Sequence, residues 1–155
     1  MVTVNNVAKE LHIPENGSVI ELAKSDIEKI LSHAREGLPN EACGLLGGVV
    51  ENDIVVIKEV YLLKNIDESR EHFTMDPKEQ LAAVKDMRTK GLKLIGNWHS
   101  HPESLARPSE EDKKLAHDSA AIYFILSLME ENAPVLNAFA IKNHTEVSSY
   151  MIEVI

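Results

Sequence analysis

Cysteine, aromatic residues, clustered positive charge and long hydrophobic runs are all scarce in this 155-residue sequence. The single cysteine, Cys43, cannot form a disulfide within the chain, which excludes a disulfide-stapled secreted domain. The N-terminus lacks the basic and then apolar pattern of a secretory signal, so we expect a cytoplasmic protein. The longest apolar run, 120–129, is interrupted by Tyr123 and Ser127 and is too short to span a membrane, so no membrane partner is expected.

Negative charge dominates, with 25 acidic residues against 16 basic ones and a formal net charge of −9. No cluster of Lys or Arg offers the basic patch by which proteins bind nucleic acid, so we expect no nucleic-acid partner. The chain has the length of one domain. We expect a loose N-terminal arm or one added strand over 1–17 and a single folded domain over 18–155, which is compatible with a homodimer.

Apolar periodicity predicts alternating strands and helices. The predicted strands are 18–22, 41–50, 54–63, 72–75, 92–101, 121–128, 135–141 and 148–155, and helices are predicted over 25–37, 76–88 and after residue 109. This order of elements predicts an α/β (α+β) fold in which helices pack on a mixed, largely antiparallel sheet.

Capping residues and helical spacing add detail to the three helices. We expect a capping box at Ser25 to open the first helix and Asp76 to cap the second. Leu81 in the second helix and Leu115 in the third are predicted to face the core.

His99 and His101 end the predicted strand 92–101. Residues i and i+2 of a strand project from one face, so the two imidazoles point the same way. Neutral imidazole and carboxylate groups are the usual protein ligands of zinc, and a catalytic zinc has three of them with one position open for water. A carboxylate close to the two histidines would therefore complete a metal site.

Asp112 can supply that carboxylate. Prolines stiffen the loop 102–108, and Ser109 is a predicted helix N-cap that places Asp112 in the first helical turn. Taken singly, Ser109 and Asp112 could form only a capping box, and the histidines could be ordinary strand polarity. In combination, His99, His101 and Asp112 predict a site for one zinc ion per chain.

Hydrolysis also needs a carboxylate that moves protons, and the candidates are Glu41, Glu103, Glu110 and Glu111. Glu41 lies beside an apolar strand, where burial would raise its pKa toward a useful value, and this gives it a modest lead. A rival hypothesis is a cysteine hydrolase that uses Cys43 with a histidine base. Cys43 lies in an apolar run, however, where a small buried residue is the common outcome.

These motifs resemble a known family. The segment His99-Ser-His-Pro with Ser109 and Asp112, and the upstream segment Glu41-Ala-Cys-Gly-Leu-Leu-Gly-Gly, are similar to the JAMM motif of the MPN+ (JAB-domain) metallopeptidases. The compact bacterial and archaeal branch is most similar, and the resemblance covers residues 18–155. It implies the MPN fold, a curved sheet packed between helices. It also implies that Glu41 is the catalytic base and acid, and that Ser109 donates to the oxyanion.

The resemblance implies a substrate class as well. The insertions with which larger family members grip ubiquitin chains have no counterpart among the predicted elements, and no further Cys/His cluster exists in the sequence. The implied partner is a ubiquitin-like sulfur-carrier protein whose Gly-Gly tail is cleaved at the bond after its last glycine, or another peptide substrate. The alternative is a non-catalytic MPN scaffold, although the presence of every motif residue counts against that role.

Overall fold

The computed structural model describes residues 19–155, so the arm predicted over 1–17 lies outside the described residues. Within 19–155 the chain forms seven strands and three helices. The strands are β1 (Val19–Leu22), β2 (Cys43–Glu51), β3 (Ile54–Leu63), β4 (Lys93–His101), β5 (Ile122–Ser127), β6 (Val135–Lys142) and β7 (Glu146–Val154). The helices are α1 (Lys24–Gly37), α2 (Pro77–Thr89) and α3 (Glu110–Leu115).

The strands form one mixed sheet that closes on itself in the order β1-β3-β2-β4-β5-β6-β7. The pairs β2–β3, β2–β4, β5–β6 and β6–β7 are antiparallel, and β4–β5 is parallel. Strand β1 closes the ring because it pairs in parallel with both β3 and β7. The predicted mixed, largely antiparallel sheet with packed helices is therefore confirmed, and its curvature is strong enough to make a barrel.

Two apolar clusters hold helices on opposite faces of this sheet. In the larger cluster, Ile30 of α1 packs with Leu46 of β2 and Trp98 of β4. In the smaller cluster, Met87 of α2 packs with Leu45 of β2. Neighbouring strand residues such as Leu45 and Leu46 point to opposite faces, so α1 and α2 lie on opposite sides of β2.

The first helix begins differently from the prediction. Ala23 is its N-cap, and the Ala23 carbonyl accepts hydrogen bonds from the N–H groups of Asp26 and Ile27. No side chain caps this end within the described chain, so the capping box predicted at Ser25 is wrong. None of the helices in residues 19–155 is long and apolar enough to cross a membrane.

The inward faces of the two later helices also differ from the prediction. Leu81 and Leu115 are each 56% exposed, so neither is a core residue. The buried stripe of α2 runs through Ala83 and Met87, which are four residues apart, and Leu81 lies off that stripe. Segment 72–75, predicted as a strand, forms only an isolated bridge between Met75 and Asn65 in the part of the chain that the structure describes.

Gly44 of β2 lies against the indole of Trp98. A Cβ atom at Gly44 would lie 1.9 Å from the Tyr61 carbonyl oxygen and 2.2 Å from Trp98 Nε1. The same Nε1 donates a hydrogen bond to that carbonyl oxygen at 3.1 Å. We therefore expect Gly44→Ala to lower the free energy of unfolding by about 1–3 kcal/mol, as other overpacked cores do, in denaturant unfolding experiments.

Gly37→Ala is the matched control. A Cβ atom at Gly37 would lie 3.8 Å from the Ala42 Cβ, an ordinary contact, so this variant should be at least as stable as the parent chain. Equal stability of the Gly44 and Gly37 variants would contradict the packing described here.

Candidate active site

Strands β2 and β4 bring Glu41 beside the two histidines. The strands are antiparallel, and Cys43 pairs with His99. Continuing that register by two residues places Glu41 opposite His101, on the face that carries His99. This face meets little solvent, since Glu41 is 6% exposed and His99 and His101 are each 3% exposed.

Helix α3 supplies the carboxylate of Asp112. The Ser109 hydroxyl accepts a hydrogen bond from the Asp112 N–H at 3.0 Å, and the Ser109 N–H donates to Asp112 Oδ2 at 2.9 Å. This is a capping box, which the sequence spacing offered as the alternative role of Ser109 and Asp112. It also turns the carboxylate toward the strand, where Oδ2 lies 3.1 Å from His99 Nε2 and 3.0 Å from His101 Nε2.

The three side-chain atoms form a triangle that fits a metal ion. The two Nε2 atoms of His99 and His101 are 3.1 Å apart, which is close to their distances from Asp112 Oδ2. Ligands of a tetrahedral zinc ion lie about 3.3 Å from one another at ordinary bond lengths. Two imidazole nitrogens and one carboxylate oxygen suit zinc and leave one coordination position open. Among the described residues, this group has the arrangement expected for holding a metal ion.

Neighbouring groups fix the two imidazole rings. His101 Nδ1 donates to the Leu105 carbonyl oxygen at 2.8 Å, which leaves the Nε2 lone pair free for a metal. The His99 ring stacks on Phe73, with ring centroids 4.7 Å apart and an interplanar angle of 23°. His99 Nδ1 is buried and has no hydrogen-bond partner within residues 19–155, so stacking orients this ring.

Burial and neighbouring groups shift the pKa values of the two carboxyl groups of the site in opposite directions. Burial raises the pKa of Glu41 to about 8, and the charge of His101 only partly opposes this shift. Burial also raises the pKa of Asp112, but its close contacts with the imidazoles of His101 and His99 and the hydrogen bond from the Ser109 N–H outweigh burial and hold the pKa of Asp112 well below its usual range. Asp112 therefore stays ionised, while Glu41 can exchange a proton near neutral pH.

The other candidate carboxylates lie in different surroundings. All three are exposed or partly exposed: Glu103 forms an ion pair with Arg70, Glu110 forms one with Lys113, and Glu111 contacts His72. By contrast, Glu41 Oε1 is buried and has no hydrogen-bond partner among the residues that the structure describes. Of the four, Glu41 thus has the environment expected of a proton-transfer group.

Cys43 and Ser100 are both buried residues whose contacts indicate a structural role. Cys43 is fully buried in the cluster beneath α2, and burial raises the pKa of its thiol to about 12, so it stays protonated. A thiol in this state is a poor nucleophile. Ser100 is also fully buried, and its hydroxyl accepts a hydrogen bond from the Ala42 N–H at 2.8 Å.

Sequence reasoning missed three groups that shape the site. The Leu105 carbonyl is a main-chain atom and leaves no signal in the sequence. The Phe73 ring stacks on His99, and no local pattern in the sequence encodes this contact between distant residues. Asn65 donates to the Glu41 carbonyl at 3.0 Å, and an asparagine in a polar loop gives no hint of that distant partner.

A cleft of about 890 Å³ leads to His99 and Asp112. It lies between α2 and the segment around α3, over the outer face of β4. Its lining is largely apolar and includes Met75, Val84, Met87, Leu115 and Tyr123, with Asn97 among the polar groups.

Comparisons with known proteins show which family the chain resembles. Residues 23–142 match the family model described as prokaryotic homologs of the JAB domain. The desampylase of Haloferax volcanii is 34% identical over 115 residues, covering 71% of this chain and 81% of that protein. The CysO-cysteine peptidase of Mycobacterium tuberculosis is 29% identical over 116 residues, covering 74% of this chain and 77% of that protein.

A solved structure extends the comparison to the fold. The solution structure of a protein from Desulfitobacterium hafniense has a TM-score of 0.81 and 51% sequence identity, and the match covers 88% of this chain and 92% of that one. The predicted relation to compact prokaryotic JAB/MPN proteins is confirmed, and the chain belongs to the family of prokaryotic homologs of the JAB domain.

Proposed function

We propose that this chain is a zinc-dependent JAMM-type metallopeptidase that hydrolyses an amide or isopeptide bond after the Gly-Gly tail of a ubiquitin-like protein. The observation that carries the proposal is the convergence of His99, His101 and Asp112 beside the buried Glu41. The family match, and relatives named as a desampylase and a peptidase, support a hydrolase acting on such bonds.

In this mechanism His99, His101 and Asp112 would hold the metal. When bound, the zinc ion supplies Lewis acidity toward water and toward the scissile carbonyl. Glu41 accepts the proton that the attacking water loses and then delivers it to the leaving nitrogen, so each turnover restores the carboxylate. Burial raises its pKa toward the neutral range, which suits proton transfer in both directions.

Ser109 has a second role in the proposal. Its hydroxyl oxygen already accepts from the Asp112 N–H, and its hydroxyl hydrogen can donate to the substrate carbonyl oxygen as negative charge develops there. A donor of this kind acts mainly in the transition state. Capping and oxyanion stabilisation are therefore compatible in one side chain.

The form of the site supports a glycine tail as substrate. Glu41 and His99 are almost fully buried, so a scissile carbonyl reaches them only if the neighbouring residues of the substrate are slender. The largely apolar cleft that ends at His99 can receive an extended peptide. A ubiquitin-like sulfur carrier, whose flexible tail ends in two glycines, has this form, and we propose it as the cytoplasmic partner.

The first prediction concerns metal content. We expect the purified protein to hold about one zinc ion per chain, and His99→Ala and Asp112→Ala to lose it, because two ligands bind zinc weakly. Mass-spectrometric metal analysis after dialysis measures this ratio. His144→Ala is the matched control and should keep its zinc, because this exposed histidine is not among the candidate ligands and contacts α3 at the Lys113 carbonyl oxygen. A folded parent chain that stays metal-free after incubation with equimolar zinc at neutral pH would rule out the proposal.

The second prediction concerns proton transfer. Glu41→Gln should keep its zinc and abolish turnover, because the amide has nearly the same shape as the carboxylate but cannot accept the proton. Peptide cleavage measured beside metal content tests this. Unchanged turnover would mean that the base lies elsewhere.

Cys43→Ser is the control for that variant. It should retain most activity, since the buried thiol has no role in the mechanism. Loss of turnover with normal zinc content and a normal melting temperature would revive the cysteine hydrolase hypothesis.

The third prediction concerns the substrate. A mass-spectrometric assay would offer a sulfur carrier with a C-terminal extension, its Gly-Gly→Ala-Ala variant and lysine-linked diubiquitin. We expect cleavage after the second glycine of the carrier and little cleavage of the other two, because alanine side chains hinder approach to the buried groups. Preference for diubiquitin, or indifference to the Gly-Gly change, would exclude the carrier and leave the zinc chemistry standing.

A further inference from the structure

Asn65 lies near the start of the loop that follows β3. Both the nitrogen and the oxygen of its side-chain amide form hydrogen bonds. The amide nitrogen donates to the carbonyl oxygens of Glu41 at 3.0 Å and His72 at 2.9 Å. The amide oxygen accepts from the N–H groups of Asp67 at 3.0 Å and Thr74 at 3.1 Å. The Asn65 side chain thus links the beginning and the end of the loop to the segment that carries Glu41.

Glu41 depends on this loop for its position because it precedes β2 and lies outside the strand ladder. Its N–H donates to the Ser69 carbonyl at 2.8 Å, and its carbonyl accepts from Asn65, so the loop holds both of its main-chain polar groups. Its carboxylate gains less support, since Oε1 has no hydrogen-bond partner in the described range 19–155. The direction of this carboxylate is therefore set largely through its backbone.

The same loop also positions a metal-ligand candidate. Phe73 lies between His72 and Thr74, the two residues whose main-chain groups bind the Asn65 amide. The Phe73 ring stacks on His99. The Asn65 amide therefore lies on a continuous path of contacts between Glu41 and His99.

We propose that Asn65 is a positioning residue, whose two donated hydrogen bonds hold the Glu41 backbone and the Phe73 segment in one arrangement so that the carboxylate stays aligned with the metal site. This inference rests on the proposed function. It assigns Asn65 no contact with substrate or metal.

The Asn65→Asp variant tests the donor bonds of the amide apart from its acceptor bonds. Aspartate keeps both acceptor bonds, which order the loop, and loses both donor bonds, one of which holds Glu41. We expect kcat on the extended sulfur carrier to fall roughly 10- to 100-fold, as for other small misplacements of a reacting group, with KM nearly unchanged. Each variant is assayed at its own pH maximum, so that the added negative charge is not mistaken for lost alignment.

Thr74→Val is the matched control. It removes the Thr74 Oγ1 bond to Asp67 Oδ2, at 2.7 Å, and leaves the Asn65 bonds in place. This variant should keep the parent kcat. Zinc content should stay close to that of the parent in both variants. The melting temperature should stay close to that of the parent in Thr74→Val and should fall modestly in Asn65→Asp, which loses two hydrogen bonds.

The outcomes distinguish a failure of the proposed function from a failure of the role proposed for Asn65. A parent chain without turnover overturns the proposed function and the role of Asn65 with it. An active parent beside an Asn65→Asp variant of equal kcat overturns the role of Asn65 alone. Parallel losses of zinc, melting temperature and kcat in Asn65→Asp, or an equal loss of kcat in Thr74→Val, would assign a general structural role and also overturn the inference.

Discussion

The antiparallel register between β2 and β4 determines which side chains meet at the site. With Cys43 opposite His99, the pleat places Glu41 and both histidines on one face. A slip of one residue would turn the histidines toward the interior that Trp98 fills. The hydrogen bond from Trp98 to the Tyr61 carbonyl, passing over Gly44, opposes such a slip from inside the barrel. Packing of Trp98 inside the barrel thus helps to determine which side chains meet on the opposite face of the sheet.

Some residues of the site are close together in the sequence, whereas Glu41 is distant from them. His99, His101 and Asp112 lie within one strand, one loop and the first turn of α3, and a capping box fixes the carboxylate without help from distant residues. Glu41 is far from them in sequence and is held by β4 and by the loop after β3. The spacing of the three candidate metal ligands is therefore set within one short segment of the chain, whereas the placement of Glu41 requires the pairing of β2 with β4 and the loop after β3.

This division explains what could be predicted from the sequence. The zinc-ligand candidates and the Ser109 capping box depend on spacings of a few residues, and strands such as 54–63 have clear apolar patterns. Closure of the sheet depends on the pairing of β1 with both β3 and β7, which no local pattern encodes. The exposure of Leu81 has the same cause, because the helical spacing leaves open which of two neighbouring stripes the sheet will cover.

The energetic cost of Glu41 bears on whether the chain is an enzyme or a scaffold. Because its pKa rises from 4.5 to about 8 on burial, the protonated form favours folding. That contribution is fully present below pH 4.5 and is lost as the pH rises through about 8. Near neutral pH most of it has been lost, and the buried Oε1 still lacks a hydrogen-bond partner among the described residues. An apolar residue here would suit a scaffold better, since nothing in scaffolding requires a poorly solvated carboxyl group beside Asp112. Proton transfer at a metal site does require one, and this difference favours the enzyme.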